Sequence, residues 1–413
     1  MNRLRVCLLL LAVTVVVAAR AGDTNALPGT ITVDGITYSN VTWRSVTPAT
    51  VSIFHRTGVA SIPLEKLPPE LQQKFGYDPA KAADWQKREA AADAVRRADL
   101  ARQQAAASNA HGHEVLAFYY PWYGRNGRHW GGSNPAQHEI LNATHYPVAG
   151  PYDSHDRGVI DSQIEMARTH GLTGFVSSWW GQKTFEDEAM PLLLDAAEKK
   201  GCHVSVYWET APGKGTGQIS QAISDLVYIV NHYGTRKAFL KVDGKPVIFV
   251  YSRVVQQVPL DSWPAILSGA RAKAADFILV ADGCDDEQAR VFDAVHVYNF
   301  AGALEHMKLA DLPAWAGKNC AYAVNQARDR QSIACITVIP GYDDTKIRHS
   351  GFKVDRQNGE VYRALWQAAL DANPDWVLIT SWNEWHEGTE IEPSIEFGDT
   401  YLQLTKEYAA RLR

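Results

Sequence analysis

From Val115 onward one pattern repeats: an apolar run of strand length ending in aromatic or polar residues, then a stretch with amphipathic helical spacing. The runs are VLAFYYPWY (115–123), GFVSSWWG (174–181), HVSVYWE (203–209), PVIFVYSR (246–253), FILVADG (277–283), AVHVYNF (294–300), ACITVIPGYDD (334–344) and WVLITSWNEW (376–385). Apolar runs this continuous suit strands buried on both faces, as parallel strands are. Segments such as DSQIEMARTHG, EDEAMPLLLDAAEKKG and NGEVYRALWQAALDANP lie between them and have the length of crossover helices. Eight such units over residues 113–413 predict an α/β fold, a closed (β/α)8 TIM barrel rather than an open doubly wound sheet. No GxGxxG follows the first run, which argues against a dinucleotide fold. The interval between the fifth and sixth runs is short for a helix and is the weakest member of the count.

The chain has 413 residues, more than the roughly 250 of one such barrel, so a smaller unit is expected beside it. The opening MNRLRVCLLLLAVTVVVAARAG places Arg3 and Arg5 before an apolar run too short to span a bilayer comfortably, followed by Ala19-Arg20-Ala21 in a small-x-small cleavage pattern. Residues 1–21 are therefore read as a secretory signal peptide, and the mature chain as secreted or periplasmic, with no stable membrane insertion once the signal is cut. The alternative is an uncleaved N-terminal anchor. Residues 28–76 form the next segment. Across 30–63, β-branched and aromatic residues alternate with polar ones, and Asp34-Gly35, Thr47-Pro48 and Thr57-Gly58 mark turns. This predicts a small antiparallel β module with a structural or adhesive role. Residues 77–112 turn to Ala, Arg, Lys, Glu and Gln, as in AADAVRRADLARQQAAA, which predicts a helical linker with a solvated charged face. Cys202, Cys284, Cys320 and Cys335 follow the signal without a CxxC pair, which disfavours zinc. Cys320 and Cys335 are nearest in sequence, but spacing alone does not pair them, and buried free thiols fit as well.

The net charge of -5, with 46% hydrophobic and 21% charged residues, is ordinary globular composition and gives no basic footprint for nucleic acid. A neutral or polar partner is expected, and the sequence carries no signal for an oligomeric state. In a (β/α)8 barrel the active site lies at the C-terminal mouth of the strands. The predicted strand ends carry Tyr120 and Trp122; Trp180; Glu209; Tyr251; Asp282; Tyr298; Asp343 and Asp344; and finally Asn383, Glu384, Trp385, His386 and Glu387. A lone Trp or Tyr of this kind is usually a core group; the recurrence at one end is the signal. Aromatic platforms interleaved with carboxylates and amides fit a polysaccharide or oligosaccharide cleft, where rings pack on the sugar face and polar groups meet its hydroxyls. Cleaving a glycosidic bond needs a proton for the departing oxygen and a negative group near the oxocarbenium, which makes Glu384 and Glu387 the candidate catalytic pair. Tyr120, Trp122, Trp180, Glu209, Tyr251, Tyr298, Asp343, Asn383, Trp385 and His386 are the candidate substrate contacts. The bland alternative has Glu387 capping the following backbone and Glu384 paired with an arginine. A competing reading takes Asp343, Asp344, His386 and Glu387 as metal ligands, although no HExxH or HxH spacing is present. A serine hydrolase is disfavoured, since no G-x-S-x-G elbow occurs.

FYYPWYG at the first strand, GFVSSWW at the second, KPVIFVYSR at the fourth, VIPGYDDTKIR at the seventh and above all SWNEWHEGTEIEP at the eighth resemble glycoside hydrolase family 99, the endo-acting α-1,2-mannosidases and endomannanases. The resemblance covers about residues 113–413. It implies a (β/α)8 retaining hydrolase, free of metal and cofactor, that cuts α-1,2-mannosidic linkages within a chain, beneath an α-1,3-linked glucose or mannose. It implies Glu384 as base on the sugar 2-hydroxyl, giving an anhydro-sugar intermediate, and Glu387 as general acid and then base at the glycosidic oxygen. By the same matching Tyr120 and Trp180 line sugar subsites and Tyr298 lies near the ring, with Trp180 pointing toward mannan. The first 110 residues have no counterpart in that resemblance. The alternatives are a related barrel glycosidase acting on another α-linked polysaccharide, and a carbohydrate-binding protein that kept the cleft and lost turnover.

Overall fold

The eight apolar runs form eight parallel strands in a computed structural model that describes residues 27–55, 58–91, 112–283 and 287–412. They are β1 Glu114–Tyr119, β2 Gly174–Trp179, β3 His203–Trp208, β4 Lys245–Val250, β5 Ile278–Asp282, β6 Ala294–His296, β7 Cys335–Val338 and β8 Trp376–Ile379. The hydrogen-bonded order is β6-β5-β4-β3-β2-β1-β8-β7. Where the ring would close, between β6 and β7, no ladder forms among the described residues; Thr337 Oγ1 donates instead to the Val297 carbonyl. The barrel is thus nearly closed, with one seam.

Leu116, Phe118, Val176, Tyr207, Phe249, Val280, Trp376 and Leu378 fill its interior. Their neighbours Val115, Ala117, Phe175, Val204, Ile248, Val377 and Ile379 pack outward against the helical layer. Both faces of each strand are buried, which is why the runs are continuous rather than alternating. The helices are α1 Arg157–Thr169, α2 Phe185–Lys200, α3 Gly215–His232, α4 Trp263–Arg271, α5 Leu312–Asp329, α6 Glu360–Ala372 and α7 Thr400–Leu412. Asp156 starts α1 by accepting the Gly158 and Val159 N–H groups. Thr184 caps α2, three acidic residues fill its first turn, and Gly201 ends it at φ 72°. Between β5 and β6 the described residues hold only the four-residue helix Gln288–Val291, matching the short interval in the sequence. Beneath the barrel, Asp375 takes both Arg328 Nη atoms at 2.6 and 2.8 Å and the Ala334 N–H at 2.8 Å, tying α5 to the entry of β8.

The chain divides into two compact units, Met1–Arg102 and Gln103–Arg413. In the first, Thr30–Val33 and Ile36–Ser39 form a hairpin whose Asp34-Gly35 turn has φ of 50° and 80°, the left-handed pair a tight hairpin turn requires. Thr42–Val46, Thr50–His55 and Gly58–Pro63 make a three-stranded antiparallel sheet. Ile31, Val33, Val51, Ile53, Ile62, Leu64 and Leu67 form its small core. The chain is helical from 79 to 91; the rest of the expected linker up to residue 111, and the expected signal peptide, lie outside the described residues. Cys202, Cys320 and Cys335 are free and buried, and Cys284 lies outside the described residues. No described helix is long and apolar enough to cross a membrane.

Candidate active site

Past Ile379, β8 leaves the barrel and its loop is fastened from below. Ser381 Oγ accepts the Glu384 N–H at 2.7 Å. Asn383, wholly buried, accepts the Tyr120 N–H at 2.7 Å and donates to the Tyr120 carbonyl at 3.1 Å and to Tyr152 Oη at 3.0 Å. Trp385, equally buried, donates from its indole to Tyr152 Oη at 3.2 Å. Tyr152 in turn donates to Glu392 at 2.7 Å, and Gln163 of α1 donates to the same carboxylate at 2.6 Å. Gly388 turns the loop at φ 57°, and an added Cβ would come within 3.1 Å of the Asp343 backbone, whose N–H donates to the Glu387 carbonyl at 2.7 Å.

These anchors leave Glu384 and Glu387 at the mouth. Glu384 is 3% exposed and accepts the His386 backbone N–H at 3.1 Å. Burial, and then the Glu387 charge, push its carboxyl well above the usual range. Glu387 is also raised by burial, but Arg348 opposes this with a 2.8 Å bond to Oε1, while Oε2 is buried with no direct hydrogen bond. The two groups thus sit in different surroundings, one desolvated and one held by a cation. Pairing with arginine falls to Glu387, where the bland alternative had placed it on Glu384.

Tyr120, Glu209, Tyr251 and Tyr298 lie near enough to act on the charges of the pair, His386 Nδ1 is 3.3 Å from Glu384, and Trp122 and Trp180 join this group through ring contacts. Tyr120 Oη donates to Tyr298 Oη at 2.6 Å, and the Trp122 ring lies 4.5 Å from Tyr120, 5.6 Å from His386 and 6.4 Å from Trp180. Trp180 donates to Ser178 Oγ at 3.1 Å, and Ser178 donates to Glu209 at 2.8 Å, so the indole is fixed by a buried carboxyl. Burial pushes Glu209 up to about 8 against the Ser178 bond. Tyr251 lies 6.0 Å from Tyr298, and Arg253 stands 4.8 Å over the Trp180 ring. Asp343 is turned elsewhere: its carboxylate accepts Thr345 Oγ1 at 2.6 Å and lies 3.7 Å from Lys353. Asp344 pairs with Arg348 and Tyr342. Among the described residues no three His, Cys, Asp or Glu side chains converge as metal ligands.

Sequence reasoning missed Tyr152, His129 and Glu392 and gave Arg348 no role, although the VIPGYDDTKIR run ends on it. Glu392 was visible as the last of four glutamates between 384 and 392. Its use is set by Gln163 and Tyr152, more than two hundred residues away.

Over residues 102–406 the chain matches the family described as glycosyl hydrolase family 99. Its relatives include a glycoprotein endo-alpha-1,2-mannosidase-like protein of Danio rerio, 27% identical over 359 residues, which span 72% of this chain and 78% of that one. A glycoprotein endo-alpha-1,2-mannosidase of Xenopus laevis is 27% identical over 365 residues, 72% of this chain and 77% of that one. The GH99 endo-alpha-mannosidase from Bacteroides thetaiotaomicron has a similar structure, with a TM-score of 0.61 at 26% identity over 73% of this chain and 97% of that one. With the family match spanning most of its length, the chain belongs to glycosyl hydrolase family 99 and is a glycoside hydrolase.

Proposed function

We propose that this enzyme cleaves α-1,2-mannosidic linkages inside mannan or high-mannose-type glycans, with retention, outside the cytoplasm and without a metal ion. The observation that carries the reading is the placement of Glu384 and Glu387 together beneath the wall formed by Tyr120, Trp122 and Tyr298, with distinct ionic surroundings. The relatives named for endo-α-1,2-mannosidase activity support the linkage. In this reading Glu384 removes the hydrogen of the sugar 2-hydroxyl, and the freed oxygen attacks C1 to form a 1,2-anhydro-sugar. Glu387 protonates the departing glycosidic oxygen. Water then opens the three-membered ring at C1, giving a proton to Glu387, while Glu384 returns its proton to O2 and the enzyme is restored. The aromatic wall packs the sugar face, and Glu209, held by Ser178, offers a polar contact at the second and third strands.

The test is incubation of the purified chain with α-mannan and with glucosylated high-mannose glycan, in chelator, with released oligosaccharides measured by mass and Glu384→Gln as control. Short oligosaccharides support the reading and report the subsite preference. No release from either substrate, with the control behaving identically, would overturn it in favour of another α-linked polysaccharide or a binding role. Export is tested by N-terminal sequencing of the chain recovered outside the cytoplasm, with a start at Gly22 expected and an intact N-terminus refuting it.

A further inference from the structure

The loops that leave β2, β3 and β4 at the mouth carry Lys183, Lys214 and Arg253, all three exposed. None of these side chains has an ion pair or a hydrogen bond among the described residues. Arginines on the other loops of this end have their anions: Arg125 lies 3.3 Å from Asp153, Arg128 3.3 Å from Glu186 and Arg348 2.8 Å from Glu387. Arg253 stands instead 4.8 Å over the Trp180 ring and 5.5 Å over that of Tyr251. Ring contact holds the cation in place but gives its fork of N–H donors no acceptor. Two carboxyls end neighbouring strands, and neither takes that fork. Glu209 accepts the Ser178 hydroxyl, and burial pushes it up to about 8, so it carries little charge near neutral pH. Asp282 accepts the Ser252 and Tyr298 N–H groups at 3.3 and 2.9 Å. The net charge of -5 thus hides a cationic sector of the mouth.

We propose that Arg253 is a specificity-determining residue for an acidic glycan: a phosphate, sulfate or carboxylate group on the sugar chain that enters over Trp180 accepts the guanidinium fork, with Lys183 and Lys214 adding positive potential in the same sector. This rests on the reading of the mouth as a site for mannose-type glycans and narrows its substrate to a charged form. The cation is well placed for the task, because Trp180 is itself fixed through Ser178 to Glu209, so the guanidinium is held against a ring that cannot drift. The loops that carry two of the cations are also tied to each other. Arg253 lies on the short helix Ser252–Gln257, and Gln257 Oε1 accepts the Ala211 N–H at 2.7 Å. Lys214 and Gln257 then line a common cavity of about 390 Å³ with Gly213 and Gln218. Neutral hydroxyls can also accept from a guanidinium, but an anion gains the full charge-assisted bond and the surrounding potential as well. The acidic group is bound and not transformed, so the chemistry assigned to Glu384 and Glu387 is unaltered.

The test measures kcat/KM of the full chain on a neutral α-1,2-linked manno-oligosaccharide and on the same compound bearing one phosphate monoester, one sulfate ester or one uronic acid carboxylate. Binding of the four compounds to Glu387→Gln, with and without Arg253→Gln, is followed by calorimetry. Wild type is expected to favour at least one acidic form by about tenfold in kcat/KM, chiefly through KM. That ratio should shrink toward one in about 1 M salt, where the screening length is about 3 Å. Arg253→Gln should lower the ratio about tenfold, and Arg253→Lys should restore part of it, since the charge returns without the fork. The acidic form with the largest ratio identifies the substituent. A ratio at or below one for every acidic form would overturn the proposal. Equal losses on neutral and acidic compounds in Arg253→Gln would overturn it too, by making Arg253 only a support for Trp180. Binding that depends on the acidic group and on Arg253, without turnover of any compound, sinks the hydrolytic reading and leaves this inference standing; turnover of the neutral compound with binding indifferent to charge does the reverse.

Discussion

Glu209→Gln should make the protein more stable at pH 8 while damaging its activity. Glu209 ends β3, is 4% exposed, and is pushed up to about 8 from 4.5 by burial. Between those values the folded chain keeps a proton that the unfolded chain has lost, so stability falls as pH rises through the window and levels off above about 8. At about 1.4 kcal/mol per unit, the full window amounts to about 5 kcal/mol. A glutamine in the same place accepts the Ser178 hydroxyl as Glu209 does at 2.8 Å, without ever carrying a charge. The variant is expected to match wild type within about 1 kcal/mol at pH 5 and to exceed it by about 3–5 kcal/mol at pH 8. The unit spanning Gln103–Arg413 loses roughly 0.65 kcal/mol of stability per degree at the midpoint, so the Tm gap should open by about 5–8 °C between pH 5 and pH 8. Thermal unfolding of both proteins at fixed ionic strength measures it. Glu392, pushed up to about 7 by burial, contributes the same slope to both and cancels. A Tm difference independent of pH, or one that closes as pH rises, would refute the reasoning.

Glu387→Gln keeps the shape of the acid but cannot donate, so kcat on a natural glycan should fall about 10²–10⁴-fold with KM nearly unchanged; wild-type turnover would remove Glu387 from the mechanism. Asn383→Ala strands the Tyr120 N–H and carbonyl and releases Tyr152, and should cost about 2–5 kcal/mol with a fall in kcat; an unchanged Tm would show that the loop does not depend on this anchor. Asp375→Asn leaves the buried Arg328 without its charge partner far from the mouth, and should cost about 3–5 kcal/mol with kcat at 25 °C unaltered. Chelator should leave turnover unchanged, and a loss restored by a divalent ion would bring back the metal reading.

The barrel was legible because parallel strands buried on both faces leave continuous apolar runs, and each run fell on a strand. The seam was not, since nothing in AVHVYNF or ACITVIPGYDD distinguishes strands joined by a ladder from strands bridged by Thr337. Glu384 and Glu387 stood out because carboxylates crowded among aromatic residues at the end of an apolar run suit the mouth of a barrel. Their partners were hidden: Arg348 and His386 are as near to one glutamate as to the other in any sequence argument, and only the turn at Gly388 and the Ser381 anchor assign one to each. Asn383 and Trp385, expected at the sugar, are wholly buried beneath the loop because they share the Tyr152 hydroxyl.

The four glutamates of this loop show how environment sorts identical side chains. Burial would raise Glu390, but Arg356 and His145 overcome it and hold it ionised as a strut. Glu392 accepts the neutral Gln163 and Tyr152, and burial prevails over these bonds, so its carboxyl rises to about 7. Neither reaches the mouth. Glu384 and Glu387 repeat the same contrast where the glycan enters, one against an imidazole and one against a guanidinium. The imidazole is His386 of the same loop and the guanidinium is Arg348 from beyond β7, so the two carboxyls meet different partners within one turn of chain. The struts below make that difference usable: Tyr123 Oη donates to the Asn383 carbonyl at 3.0 Å and accepts the Trp385 N–H at 3.1 Å, and with the backbone fixed on either side of Glu384, a proton moving at the mouth changes charge without moving the atoms that carry it.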